Sequence, residues 1–314
     1  MTIDRKFIKF FVKATERGAY GASLFIGKND KIAADKGAVD EMRNQLNKID
    51  MKGKIVIGEG EMDQAPMLYI NENVGNNNGA EFDIAVDPLE GTNFTAKNLP
   101  NAMSVLAVAN KGNLLKAPDM YMEKIAVGPN LPKNLIDLDY TIEKNIRLIS
   151  EAKNSSPDKL TACLLKRPRH DKFIKTLGEL GVKIKFIDDG DVSGVMSVAH
   201  KNSNIDIYLG IGGAPEGVLA AAALKCLNSQ MQSRLFFEDD KQREKAKILG
   251  IDNLDKKYSI DDMVKGDVIF SATGVTNGDL TSGIKDIGES FESETYVLHL
   301  ESKTEEKIKN ITKK

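Results

Sequence analysis

Histidine is scarce in this chain. His170, His200 and His299 are the only three, and no two stand at the spacing of zinc ligands, which argues against a His-based zinc centre. Cysteine is scarcer still. Cys163 and Cys226 lie far apart with no CxxC pair, so neither a zinc knuckle nor a dithiol redox motif is supported; both read as small core residues in reducing surroundings. An excess of charge of one sign is also missing: Lys and Arg total 44 against 46 for Asp and Glu. That removes the bulk basic field of a nucleic-acid binder and the polybasic arm of a membrane-surface protein. No run is long enough to cross a bilayer. The N-terminal MTIDRKFIKFFVKATERGAY is charged throughout, without the apolar centre of a signal peptide. A cytoplasmic protein without nucleic-acid or membrane partners is expected.

What is present is 314 residues, enough for two domains with sizeable cores. Phe7, Phe10, Phe11 and Ala14 fall at helical spacing between basic residues, the pattern of a helix packing one face on a core. A second helix is expected over 35–49, and strands over 54–57, 81–86 and 102–109, with turns at GNNNGA and Asn110–Asn113. Polar residues 128–160 suggest a boundary, giving expected domains of 1–155 and 156–314. Three strand–loop–helix units follow, beginning LTACLL, VKIKFID and IDIYLGIG, which points to an α/β domain with parallel strands. Further strands are expected over 267–272 and 296–299, and the charged tail KTEEKIKNITKK reads as a solvated helix. No internal repeat is apparent.

The acidic residues carry the chemistry. Asp35, Glu59, Glu61, Asp63, Asp87, Glu90, Asp189, Asp191 and Glu216 stand at strand or helix ends. Any one alone reads as an exposed loop carboxylate, and Asp87-Pro88 alone as a turn start. Several, however, share one design of apolar strand, then acid beside glycine: IVIGEGEMD, IAVDPLEG, FIDDGD and YLGIGGAPEG. Carboxylates gathered without equal basic partners repel one another, and hard divalent cations such as Mg²⁺ or Mn²⁺ resolve that repulsion. Lys166, Arg167 and Arg169 offer cationic donors just past a strand, either as a solvated loop or as a phosphate clamp. Thr92, after Gly91, suits a helix N-cap and could also present its hydroxyl to a metal-bound water. GIGGAPEG is not a dinucleotide loop, because the third glycine position of G-x-G-x-x-G is Pro215. Pro215 and Glu216 instead suit the first turn of a helix.

DPLEGT resembles the D-P-[IL]-D-G-T motif of the lithium-sensitive, metal-dependent phosphatases, with Glu90 where most members have Asp. With IGEGEMDQAPMLYI, APDMYMEK, RPRHD, DGDV and GIGGAPEGVLAAAALK, the chain looks like a class II fructose-1,6-bisphosphatase of bacterial type. The resemblance covers the chain except the charged tail and the segment around 130–160. It implies a layered αβαβα sugar-phosphatase fold with two sheets, one per domain: a metal-binding catalytic domain, then a substrate-binding α/β domain. It implies Asp35, Glu59, Asp87, Glu90 and Glu216 as ligands for more than one Mn²⁺ or Mg²⁺ ion, with Thr92 positioning the attacking water. Glu59 would share that task and Asp63 would support it. Glu90, Gly91, Thr92, Tyr121, Lys166, Arg167, Pro168, Arg169, Asp189, Gly190, Asp191 and Gly213 would surround a sugar bisphosphate. The implied reaction is hydrolysis of the 1-phosphate of fructose 1,6-bisphosphate, a step of gluconeogenesis, by a homo-oligomer. The alternatives are action on sedoheptulose 1,7-bisphosphate or an inositol-type phosphate, or a sensor that retains the fold without catalysis.

Overall fold

The computed structural model describes residues 2–58, 68–248 and 250–314. Its backbone divides into two compact units, one of Met1–Lys116 with Val264–Lys314 and one of Ala117–Met263. This differs from a single cut at 155/156. The last strands of the chain pair back onto the first sheet, so the first unit is built from both ends of the chain.

The first unit opens with α1 (Ile8–Ser23) and α2 (Lys31–Leu46). The apolar spacing at the N-terminus is fulfilled: Phe7 and Phe11 are buried and set against Phe82, with ring centroids 4.9 and 6.0 Å away. Asp30 caps α2, its carboxylate accepting the Ala33 N–H at 2.9 Å. The two helices approach closely where glycines face each other; a Cβ on Gly21 would come within 2.1 Å of the Gly37 carbonyl oxygen. The chain continues through β1 (Met51–Ile57), β2 (Asn73–Val74), β3 (Ala80–Glu90), α3 (Thr92–Ala96) and β4 (Met103–Asn110).

The second unit holds β5 (Tyr121–Val127), α4 (Ile142–Ala152), β6 (Thr161–Leu165), α5 (Asp171–Glu179), β7 (Lys183–Ile187), α6 (Asp191–Met196), β8 (Ile207–Gly213), α7 (Ala214–Cys226), β9 (Gln230–Phe236), α8 (Asp240–Ile248), β10 (Lys257–Ser259) and α9 (Ile260–Met263). Its sheet runs β10-β9-β5-β8-β6-β7. The three expected strand–loop–helix units are there, and β8, β6 and β7 are parallel. The remaining strands pair antiparallel, with β5 between β9 and β8. Its core joins Ile125, Val127, Leu160, Ala162, Leu164, Leu177, Ile207 and Leu209 with Ile146 and Ile149 of α4. Cys163 is also buried, its thiol pushed up to about 11 by that burial.

The chain then returns to the first unit as β11 (Val268–Gly274), β12 (Lys285–Asp286), β13 (Ser290–His299) and β14 (Thr304–Lys313). The first sheet runs β12-β13-β11-β4-β3-β1-β2, with β14 added on β13. The charged tail is therefore a strand and not a helix. Ten residues of it pair with β13, and its alternate residues Thr304, Ile308, Asn310 and Thr312 turn toward the sheet's covered side. Long-range pairing overrides a composition that favours helix. His299 has a structural place: Asp267 Oδ2 lies 3.0 Å from its Nε2 and accepts the Ile3 N–H at 2.7 Å.

Candidate functional site

In the first unit, β3 does not stop at Val86 but runs on through Glu90. Its ladder with β4 reads Asp87↔Val105 and then Glu90↔Met103, so β3 carries one extra residue there, a β-bulge. Pairing with β1 has already ended at Ala85, so Pro88, which has no N–H, falls where no ladder bond is lost. The Asp87 carboxylate accepts the Leu89 N–H at 3.1 Å, which fixes the acid against its own turn. Glu90 is buried. Gly91 follows at φ 84°, a left-handed conformation that suits glycine, and caps α3. Thr92 begins that helix half-buried, its hydroxyl donating to the Leu89 carbonyl at 3.3 Å. Asp35 lies on α2, which packs against β3 and α3. Glu59, Glu61 and Asp63 lie outside the described residues.

In the second unit, the parallel strands β6, β7 and β8 end on one edge of the sheet, where open α/β sheets bind ligands. Leu165 pairs with Ile187, so the KRPRH and DDGD loops leave the sheet side by side. The Lys166 N–H donates to the Ile187 carbonyl at 2.8 Å. Lys166 and Pro168 are exposed and Arg167 half-buried. Tyr121, which opens the antiparallel β5, is the cross-strand partner of Gly213 at the same edge. The Arg169 guanidinium lies 4.2 Å from the centre of the Tyr121 ring, a cation–π contact. Two of its N–H groups donate to the Ile211 carbonyl, at 3.1 and 3.0 Å.

The run Gly210-Ile-Gly-Gly213 is touched at every residue by a polar side chain. The His170 ring lies over Gly210, where a Cβ would come within 3.2 Å of it. His170 and Arg169 take the Ile211 amide and carbonyl. A Cβ on Gly212 would lie 2.1 Å from Asp191 Oδ2, and one on Gly213 would lie 1.9 Å from Glu216 Oε2. Two consecutive glycines thus leave the room that two carboxylates fill. Glu216 sits in the first turn of α7, behind Pro215. Burial pushes its carboxyl above the usual carboxylate range; the Lys124 ammonium opposes that push, and the carboxylates of Asp191 and Asp119 add to it.

Gly190, at φ 79°, caps α6 as Gly91 caps α3, and its N–H meets Asp189 Oδ1 at 3.1 Å. Asp191 is buried, and its two oxygens accept from Lys124 Nζ and from the Tyr208 hydroxyl. Neither Lys124 nor Tyr208 stands out in the sequence, and His170 enters there as a histidine without zinc-ligand spacing and as part of RPRHD, with no role of its own. One signal for Lys124 is available: in β5, YMEKIAV, it alternates with Met122 and Ala126 on a covered face.

The described acidic donors are all oxygen, the chemistry that suits hard cations. The slots at Gly212 and Gly213 show carboxylates packed where the backbone has been cleared for them. Among the described residues, no group of three or more His, Cys, Asp or Glu side chains forms a complete metal site.

A family model described as "Bacterial fructose-1,6-bisphosphatase, glpX-encoded" matches residues 5–312. A fructose-1,6-bisphosphatase class 2 of Haemophilus influenzae is 44% identical over 96% of this chain and 94% of its own. A fructose-1,6-bisphosphatase 1 class 2 of Escherichia coli is 42% identical over 96% and 93%. A Synechococcus protein named D-fructose 1,6-bisphosphatase class 2/sedoheptulose 1,7-bisphosphatase is 39% identical over 96% and 94%. Among solved structures, an inositol monophosphatase from Anabaena overlaps 62% of this chain and 72% of its own, at 13% identity and a TM-score of 0.31.

Proposed function

The chain belongs to the bacterial, glpX-encoded fructose-1,6-bisphosphatase family, and from that premise we propose that it hydrolyses the 1-phosphate of fructose 1,6-bisphosphate to give fructose 6-phosphate and phosphate. The observation that carries this reading is a match from residue 5 to residue 312, with relatives named for the same activity at 42–44% identity. Among the described residues no helix is long and apolar enough to cross a membrane. A second reading, that sedoheptulose 1,7-bisphosphate is also a substrate, is favoured by the name of the Synechococcus relative.

Asp35, Glu59, Asp87, Glu90 and Glu216 would hold divalent ions, Mn²⁺ or Mg²⁺ and more than one. When bound, such ions activate water and offset the charge of the phosphate. The remaining work falls to the chain. The Thr92 hydroxyl, set by the Gly91 turn, orients the attacking water, with Glu59 and Asp63 assisting. Gly91 and Gly213 let backbone approach the substrate. Tyr121 flanks the sugar and Arg169 holds the phosphate that is not cleaved, with Lys166, Arg167 and the turn at Pro168 beside it. Asp189, Gly190 and Asp191 face the sugar hydroxyls, Asp191 through the group of Lys124 and Tyr208 that fixes it. Association into dimers or tetramers is part of the proposal.

Phosphate release from fructose 1,6-bisphosphate, sedoheptulose 1,7-bisphosphate and an inositol phosphate, with and without Mn²⁺, tests both readings. Metal-dependent release from the first is expected; silence on all three refutes the assignment. Arg169→Ala is expected to raise KM for the bisphosphate about 10- to 100-fold, the scale of one lost charge-assisted contact. An equal loss on a monophosphate substrate counts against a clamp on the second phosphate.

A further inference from the structure

Ile211 is gripped on both sides of its backbone by two consecutive residues of the 166–170 loop. Arg169 donates to its carbonyl, and His170 Nε2 accepts its N–H at 2.7 Å. The other ring nitrogen, Nδ1, lies 2.6 Å from the Leu165 carbonyl oxygen. A carbonyl can only accept and an amide N–H can only donate, so the ring is neutral with its proton on Nδ1. The imidazole is fully buried at 0% exposure and stacks on Phe173, with centroids 5.6 Å apart and planes 8° from parallel.

Its place in the sheet explains the need for it. β6 and β8 pair only at Ala162↔Ile207 and Cys163↔Tyr208. Beyond Cys163 the strands part, and the backbone groups of Leu165 and Ile211 would face each other unpaired. The ring bridges them, taking the bond each has lost from its neighbour. The ring holds the Ile211 N–H, in the Gly210–Ile211 peptide, and Arg169 holds the Ile211 carbonyl, in the next peptide, so the two bonds flank one Cα and the ring steadies the backbone that presents that carbonyl to Arg169.

We propose that His170 is a positioning residue for the phosphate clamp: its neutral ring holds the Ile211 N–H and so steadies the residue whose carbonyl, in the next peptide, aims the Arg169 guanidinium. This rests on the phosphatase reading above, in which Arg169 meets the phosphate that stays. Burial pushes the imidazole below its ordinary value and the Arg169 charge adds to that, while the Leu165 carbonyl and the Asp191 carboxylate oppose it. The ring therefore stays in the form that the lock requires as pH falls past the range where an ordinary imidazole charges.

The test uses variants that keep one bond at a time. Gln reaches the Nε2 position and can accept from Ile211, whereas Asn reaches only the Nδ1 position and can donate to Leu165. His170→Asn is expected to raise KM for fructose 1,6-bisphosphate about tenfold with kcat within about twofold, the scale of one lost hydrogen bond. His170→Gln is expected to stay within about threefold of the wild-type KM. In an Arg169→Ala background, His170→Asn should add nothing further to KM, because the residue acts through that arginine. Multiplying effects, or a fall in kcat with KM unchanged, would overturn the role. Imidazole ¹⁵N NMR of the metal-free protein gives a readout independent of turnover, and with three histidines the His170 signals are assigned by their loss in His170→Gln. A neutral ring protonated at Nδ1 is expected, and the opposite tautomer refutes the lock even if His170→Asn does not fold. Wild-type phosphate release, measured first, judges the phosphatase reading alone; a wild type that turns over beside variants that break the pattern refutes only the positioning role.

Discussion

If Thr92 positions the attacking water as proposed, replacing it with alanine is expected to lower kcat by about a hundred- to a thousandfold, the range seen when one preorganised hydrogen-bonding group is taken from a transition state. KM should move less than about threefold, because a hydroxyl that meets the attacking water would matter at the barrier and not in ground-state binding. The turn around Thr92 gives the reason for so large a share from one oxygen. The bulge in β3, the left-handed Gly91 and the bond from the Thr92 hydroxyl to the Leu89 carbonyl define the side chain's place with little freedom. Thr92→Ser retains the hydroxyl and should recover most of the rate. Steady-state kinetics on the three proteins decide the matter, and an alanine variant within about threefold of wild-type kcat would remove Thr92 from the reaction.

The second large effect is on stability. Lys124 is buried at 1% exposure and pairs with the buried Asp191, which Tyr208 also holds. Lys124→Met leaves that carboxylate in the interior without its cation and is expected to cost about 3–5 kcal/mol. Adding Asp191→Asn removes the stranded charge while keeping an acceptor for Tyr208, so the double variant should regain most of the loss. Urea unfolding of the wild type, the single variants and the double variant gives the coupling directly. Additive losses, or a single variant as stable as the wild type, would show that the pair is not held as described. The stem of Lys124 also needs Gly217, where a Cβ would come within 3.2 Å of its Cε and 2.7 Å of Met122 Sδ.

The legible parts of this molecule are those written in local pattern. The apolar spacing of Phe7, Phe10, Phe11 and Ala14 gives α1 and the face it buries. The strand–loop–helix succession gives β6 to β8 and places KRPRH and DDGD at strand ends. β5 and β9 are not legible as strands, because YMEKIAV looks like part of a motif and QMQSRLF alternates polar residues that only half face a core. β14 reads as a helix because a Lys- and Glu-rich segment has helical composition, and only its partner β13 makes it a strand. The division into units is hidden for a related reason: nothing local marks β11 as the neighbour of β4.

The site follows the same rule. Acids beside glycines are visible as a repeated design, and their positions at a bulge and at two glycine slots give that design a cause. Lys124, Tyr208 and the two-sided use of His170 cannot be read from the chain, because each depends on a residue far off in sequence. A lysine in an apolar strand is a hint, but its partner Asp191 is named only by the fold.

The order of the chain through the two units bears on how the protein is made. Residues 117–263 are complete in themselves as soon as they have emerged, since all six strands of their sheet lie within that span. The first sheet is different: β4 lacks its neighbour β11 until the final stretch is synthesised, and β13 and β14 come later still. A ribosome therefore finishes the inserted unit before its host. The host's open edge at β4, lined with MSVLAVAN, must stay unpaired through the synthesis of the whole insert, and an exposed apolar strand edge is where nascent chains join one another. The last fifty or so residues act as the closing seam of a unit begun at the first helix, and closing that long loop makes this half the slower one to form.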